Sequence, residues 1–304
     1  MKRLFAIFLC VAILAGGAQG NERQRLGYGR LLTNDLIGDG KDRWRTGSYA
    51  SSRVWGPEWQ GVLPATPGQV LEFRFGGEII APENISAPAP GDRPFAGVLS
   101  FGLHTHFNAR GTDVSLGADL AFTGPQTGLD DFQSSLHDAL GVDDLTSGAR
   151  KAQIDDDIHP TLVAESGRDI AIGPAMRLRP FAELRWGLET LVRAGADLTF
   201  GRLGAGELMV RAPVTGQRYR VVAPQVQGLS FVLGADIAHV EDTDLLPDSR
   251  GVGLEDTRKR VRAGLHWDNG KRASGFYGLT WLDKEFKGQR DSQVVGSLRL
   301  KFEF

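Results

Sequence analysis

Short segments in which apolar and polar side chains alternate recur along the chain, separated by turns, and few folds accept this rhythm. The last of them reads VVGSLRLKFEF, residues 294–304. A period of two puts Val294, Leu298, Leu300, Phe302 and Phe304 on one face and Val295, Ser297, Arg299, Lys301 and Glu303 on the other. AMRLRPFAELRW (175–186) sets Met176, Leu178, Ala182, Leu184 and Trp186 against Arg177, Arg179, Glu183 and Arg185. KRVRAGLHW (259–267), DVSLGADLAF (113–122) and LEFRF (71–75) repeat the pattern.

Twelve such segments are expected, at 24–34, 43–55, 69–82, 94–108, 112–122, 158–167, 175–187, 190–202, 228–241, 256–268, 273–285 and 291–304. Asp268-Asn269-Gly270 marks a tight hairpin, and Gly187-Leu188-Glu189 another short connection. The long connections are 56–68, 83–93, 123–157, 203–227 and 242–255, and the reading places short turns at one end and long loops at the other. A soluble β-sandwich or a lipocalin-like barrel would also use the alternation. The many Arg, Glu and Asp on the polar face and the C-terminal aromatic Phe304 favour an all-β, twelve-stranded antiparallel transmembrane β-barrel. Lipid then takes the apolar face, and paired charges fill the lumen.

Residues 1–20, MKRLFAIFLCVAILAGGAQG, read as a secretory signal peptide: Lys2 and Arg3, an apolar run from Leu4 to Leu14, and Ala18-Gln19-Gly20 at the cleavage site. The barrel domain is then 21–304. The single cysteine, Cys10, falls inside the signal, so the mature chain carries no thiol, as suits a bacterial envelope protein. A formal net charge of −2 leaves no basic footprint for nucleic acid.

Within this strand-rich chain, GPQTGLDDFQSSLHDALGVDD (124–144) reads as one short helix in a loop. Leu129, Phe132, Leu136 and Leu140 share a face that is expected to dock on the barrel or the membrane. Gln133 and His137 lie one turn apart on a neighbouring face, and Asp130 and Asp131 complement the helix dipole. By composition alone His137 reads as a solvated surface histidine. In LLTNDLIGDGKDRWRTGSY (31–49), Asn34, Asp35, Asp39 and Asp42 crowd oxygen donors onto a turn. Such donors suit calcium, although the spacing is not that of an EF-hand, and an ordinary Asp/Gly-rich turn is the plain alternative. In APAPGDRPFAG (87–97), Asp92 and Arg93 read as a loop salt bridge. His104 and His106 lie two apart on one strand face, a pair that lacks a third ligand for a metal.

Taken in order, TND, DRWRTG, GDRPFAG and the spacing GPxxGxxxxQxxxHxxxG resemble the outer-membrane lipid A 3-O-deacylase family, whose enzymes remove the 3′-linked acyloxyacyl chain from lipopolysaccharide. The resemblance runs through most of the mature chain and is best over residues 30–145. It implies a twelve-stranded outer-membrane barrel that meets lipid A and other outer-membrane lipids and hydrolyses an ester with Ca²⁺; a monomer is the expectation, which the sequence itself does not fix. It implies His137 as the catalytic base, with Gln133 and Thr46 beside it and Asn34 and Asp35 at the metal. Asp143 stands where a family member has glutamate. The loop 83–91 lacks the family's lysine, and Arg93 is the nearest basic residue. No G-x-S-x-G elbow supplies a serine nucleophile. The competing expectations are a small porin or structural barrel, and a phospholipase-type esterase.

Overall fold

The computed structural model describes residues 23–141, 145–222, 227–247 and 251–302. The signal segment 1–20, Asp143 and Phe304 lie outside the described residues.

The strands are β1 (Gln24–Asn34), β2 (Trp44–Gly56), β3 (Val70–Ala81), β4 (Ala96–Ala109), β5 (Thr112–Thr123), β6 (Asp157–Gly167), β7 (Ile170–Gly173), β8 (Met176–Trp186), β9 (Glu189–Phe200), β10 (Leu208–Arg211), β11 (Arg218–Val222), β12 (Gly228–Thr243), β13 (Thr257–Asp268), β14 (Ala273–Leu282) and β15 (Gln293–Phe302). Two helices, α1 (Leu129–Leu140) and α2 (Ser147–Lys151), follow β5. Twelve of the strands close into an antiparallel barrel in the order β1-β2-β3-β4-β5-β6-β8-β9-β12-β13-β14-β15. β15 closes on β1 through Leu32↔Leu298, Thr33↔Ser297 and Asn34↔Gly296. β7 pairs only with β8, below the β6–β8 joint.

The alternation sorts side chains as a membrane wall requires. On β13, Val261, Leu265 and Trp267 face outward and exposed, while Arg260, Arg262 and His266 are buried in the lumen. Apolar residues outside and charges inside invert a soluble barrel, because lipid rather than water surrounds the wall. Many of these charges are matched. Arg45 bonds Glu78 at 2.6 Å, Glu285 at 2.9 Å and Glu189 at 3.3 Å. Asp236 receives Arg193, Arg260 and Arg262. Such networks tolerate burial because each charge keeps a hydrogen-bonded partner.

Two expectations are corrected here. The long connections do not all lie at one end. Antiparallel order puts 35–43, 82–95, 124–156, 244–256 and 283–292 at the α1 end, but 57–69 and 201–227 at the other. The second of these is not a plain loop. Its β10–β11 hairpin folds back into the lumen, where the Tyr219 hydroxyl meets Ser52 Oγ at 2.7 Å and Gln217 Nε2 donates to Ala263 O and Leu279 O. β11 lies so close to β1 that a Cβ at Gly27 would stand 2.1 Å from Val221 O. LMVR and RYRVV are too short to span a bilayer, so their alternation did not register as strands.

Candidate active site

α1 is bounded by two glycines in the left-handed region, Gly128 (φ 65°) and Gly141 (φ 68°), and the Gly141 N–H donates to His137 O. A helix of this length is marginal unless tertiary contacts hold it. Those contacts come from its polar face. Asp130, Gln133, Ser134 and His137 are buried, whereas Phe132 is 59% and Leu136 43% exposed. Arg150 of α2 reaches Asp131 at 2.7 Å and also bonds Ser134, and Gln153 Nε2 donates to Asp130 at 3.1 Å. α1 thus lies over the ends of β3 and β4 with Phe132 and Leu136 turned away from the barrel. His137 is 5% exposed, so it is not the solvated surface histidine that composition favoured.

The first turn at this end, 35–43, leans outward over the wall. Asp39 N donates to Val294 O at 2.9 Å, and Tyr277, on the lipid-facing side of β14, donates to Ile37 O at 2.9 Å. Gly296 permits this approach, since a Cβ there would lie 2.0 Å from Ile37 O. Asn34 Oδ1 accepts from Leu36 N at 2.8 Å. Asp35 is buried: its N–H donates to Thr46 O at 3.0 Å and its Oδ2 accepts from Arg43 N at 3.1 Å. Thr46 is buried where the β2–β3 register slips between Arg45 and Gly47. Burial, with Asp42 and Asp39 adding repulsion, pushes the Asp35 carboxyl up from 3.8 to about 8 against the opposing N–H groups of Arg43 and Leu36.

Helix and turn meet at the imidazole. His137 Nε2 lies 3.3 Å from Gln133 Nε2 and 3.2 Å from Asp42 Oδ2. An amide N–H donates only to an unprotonated ring nitrogen, and a carboxylate accepts only from a protonated one. The two neighbours therefore set a donor and an acceptor beside one ring nitrogen.

The structure thus brings Gln133 and His137 together and joins them, through Asp42, to the turn that carries Asn34 and Asp35, with Thr46 bonded to Asp35 by its backbone. The sequence marks Asp42 only as one oxygen donor on the turn; nothing local makes it a partner of a helix so far along the chain. Arg93 does not form the expected salt bridge with Asp92. Its Nη1 bonds Glu285 at 2.6 Å inside the barrel, while Asp92 accepts from the backbone of Glu83 and Arg93. His104 and His106 take separate carboxylates, Asp119 and Glu72, each at 2.7 Å.

For a metal, the donor set at the turn is oxygen: the Asn34 amide, the Asp35 carboxylate and loop carbonyls. Among the described residues no group of three His, Cys, Asp or Glu side chains is placed to hold an ion by itself. The residues fit a calcium ion that takes the Asp35 carboxylate, amide and carbonyl oxygens and water, and a carboxyl raised by burial is the group such an ion would ionise.

A closed barrel with an apolar exterior, a charged and plugged lumen and a histidine-bearing helix on its rim defines an outer-membrane β-barrel with a surface site. Residues 4–304 match the family model described as "Outer membrane protein LpxR". The chain belongs to the LpxR family and resides in the bacterial outer membrane. It is similar to the solved LpxR from Salmonella typhimurium, with a TM-score of 0.74 and 18% identity over 91% of this chain and 100% of that one. Weaker likenesses are to the NanC porin (TM-score 0.42, 7% identity, 91% and 100% covered) and to the translocator domain of NalP from Neisseria meningitidis (0.40, 11%, 100% and 96%). No curated protein matches the chain.

Proposed function

We propose that this chain is a calcium-dependent carboxylic ester hydrolase that removes the 3′-acyloxyacyl chain of lipid A at the outer membrane. Family membership supports the class of protein, and the resemblance of its motifs to lipid A 3-O-deacylases supports the substrate. The observation that carries the chemistry is His137 Nε2 held between Gln133 and Asp42, at a turn facing the lipid side of the wall.

In this reading neutral His137 takes a proton from water through Nε2, and the hydroxide attacks the ester carbonyl. The imidazolium is steadied by Asp42 and then returns its proton to the departing 3′ oxygen as the C–O bond breaks. The products are a free hydroxyl on the sugar and an acyloxyacyl carboxylic acid. Gln133 and Thr46 orient water and ester, and Asp143 acts as a further carboxylate. Asn34 and Asp35 hold Ca²⁺, which when bound supplies positive charge to the ester oxygen. Phe132 and Leu136 face the acyl chains, and Lys41, exposed on the same turn, suits a lipid phosphate.

The test is a mass spectrum of lipid A from a host with and without this chain. Loss of the 3′ chain is expected with the wild type and not with His137→Ala, while that variant keeps its heat-modifiable mobility. Lipid A unchanged by the wild type, or a deacylated product from His137→Ala, rejects the assignment. Parallel assay of glycerophospholipids separates a phospholipase.

A further inference from the structure

A second charged site lies at the opposite end of the barrel. A cavity of about 240 Å³ opens between the lumen wall, the 57–69 connection and the plug hairpin. Arg74, Arg179, Arg211 and Arg218 line its floor, and Trp59 and Met209 give it an apolar side. A narrow cleft sharing Asp169, Met209 and Arg218 continues past Arg177 and Asp197.

The carboxylates here already hold other arginines. Asp113 and Asp169 each lie 3.0 Å from Arg179. Glu165 pairs with Arg211 at 3.2 Å, Asp197 with Arg211 at 3.1 Å and Arg262 at 2.5 Å, and Glu207 with Arg220. Arg177 and Arg218 have no carboxylate at ion-pair distance among the described residues. Arg218 is attracted by Asp169 and Asp197, which those other arginines hold, and is repelled by Arg179 and Arg211. Arg177 Nη2 and Arg179 Nε are buried with no hydrogen-bond partner. Guanidinium nitrogens buried without a partner are costly, and a planar fork of N–H donors matches an oxyanion.

We propose that this cavity and the cleft that continues it bind an oxyanion of phosphate or carboxylate chemistry from the periplasmic side, held by Arg218, which lines both, with Arg179 on the cavity side and Arg177 in the cleft. A single ordered water fills about 30 Å³ and small-molecule pockets begin near about 300 Å³, so the space suits a small oxyanion with a few attached atoms rather than a lone halide. The site stands apart from the His137 rim and does not depend on its chemistry.

Isothermal titration of inorganic phosphate, and separately of hexanoate, into the detergent-solubilised full chain tests this. One saturable site for at least one of them is expected, with affinity falling by about tenfold or more in Arg218→Gln and unchanged in Arg168→Gln, an exposed control. Arg177→Gln, placed on the wall rather than the plug, reports the same loss if the plug variant fails to fold. The preferred ion separates phosphate from carboxylate chemistry. Absence of binding by both ions, or equal binding in Arg218→Gln and Arg177→Gln, overturns the proposal.

Discussion

Nε2 of His137, on a helix after β5, stands 3.2 Å from Oδ2 of Asp42, on the turn between β1 and β2. This contact ties the helix to the Asn34-Asp35 turn. It also sets a carboxylate oxygen beside Nε2.

Asp42→Asn keeps the shape and removes the charge. Hydrogen bonds to charged groups contribute about 1.5–3 kcal/mol, so deacylation should slow by about ten- to a hundred-fold. The measurement is kcat on purified lipid A, with KM read alongside. An unchanged kcat shows that Asp42 does not steady the imidazolium.

Asp35 sets a pH dependence of the calcium-free protein. Burial, with Asp42 and Asp39 adding repulsion, raises its folded carboxyl from 3.8 to about 8, so the folded state binds the proton more tightly. That stability is fully present below about 4 and is lost as pH rises through about 8. In EGTA, the melting midpoint should fall between those limits in the wild type and stay flat in Asp35→Asn. Added calcium should restore the wild type at the alkaline end. A flat wild-type profile removes Asp35 from this role.

The outward stripe of α1 should matter to lipid and not to folding. Phe132→Ser with Leu136→Ser removes two exposed apolar side chains, each worth about 1.5–3 kcal/mol when buried in an apolar phase. Turnover of lipid A in vesicles should drop about tenfold or more, while thermal melting stays unchanged. Equal turnover would show that this face does not engage acyl chains.

The plug predicts a closed pore. With β10–β11 bonded to Ser52, Ala263 and Leu279 and the lumen crossed by charge pairs, the intact protein should show no ion-conducting steps in planar bilayers. Steady conductance would mean that the hairpin leaves the lumen.

The barrel was legible in the chain because a period of two is a local steric property: each residue's face follows from its neighbours. The strand edges, the turn at Asn269-Gly270 and the helix between Gly128 and Gly141 came from the same local rules. His137, Gln133, Asn34, Asp35 and Thr46 were singled out by motif order, not by anything that placed them together. Only the tertiary structure decided which face of α1 is buried, because the amphipathic pattern is the same whether water or lipid lies outside. It alone turned the 201–227 connection into a plug and gave Arg45, Arg93 and Asp236 their partners. It alone set Asp42 against His137, since a contact between residues distant in sequence depends on barrel closure, which no short stretch of chain encodes.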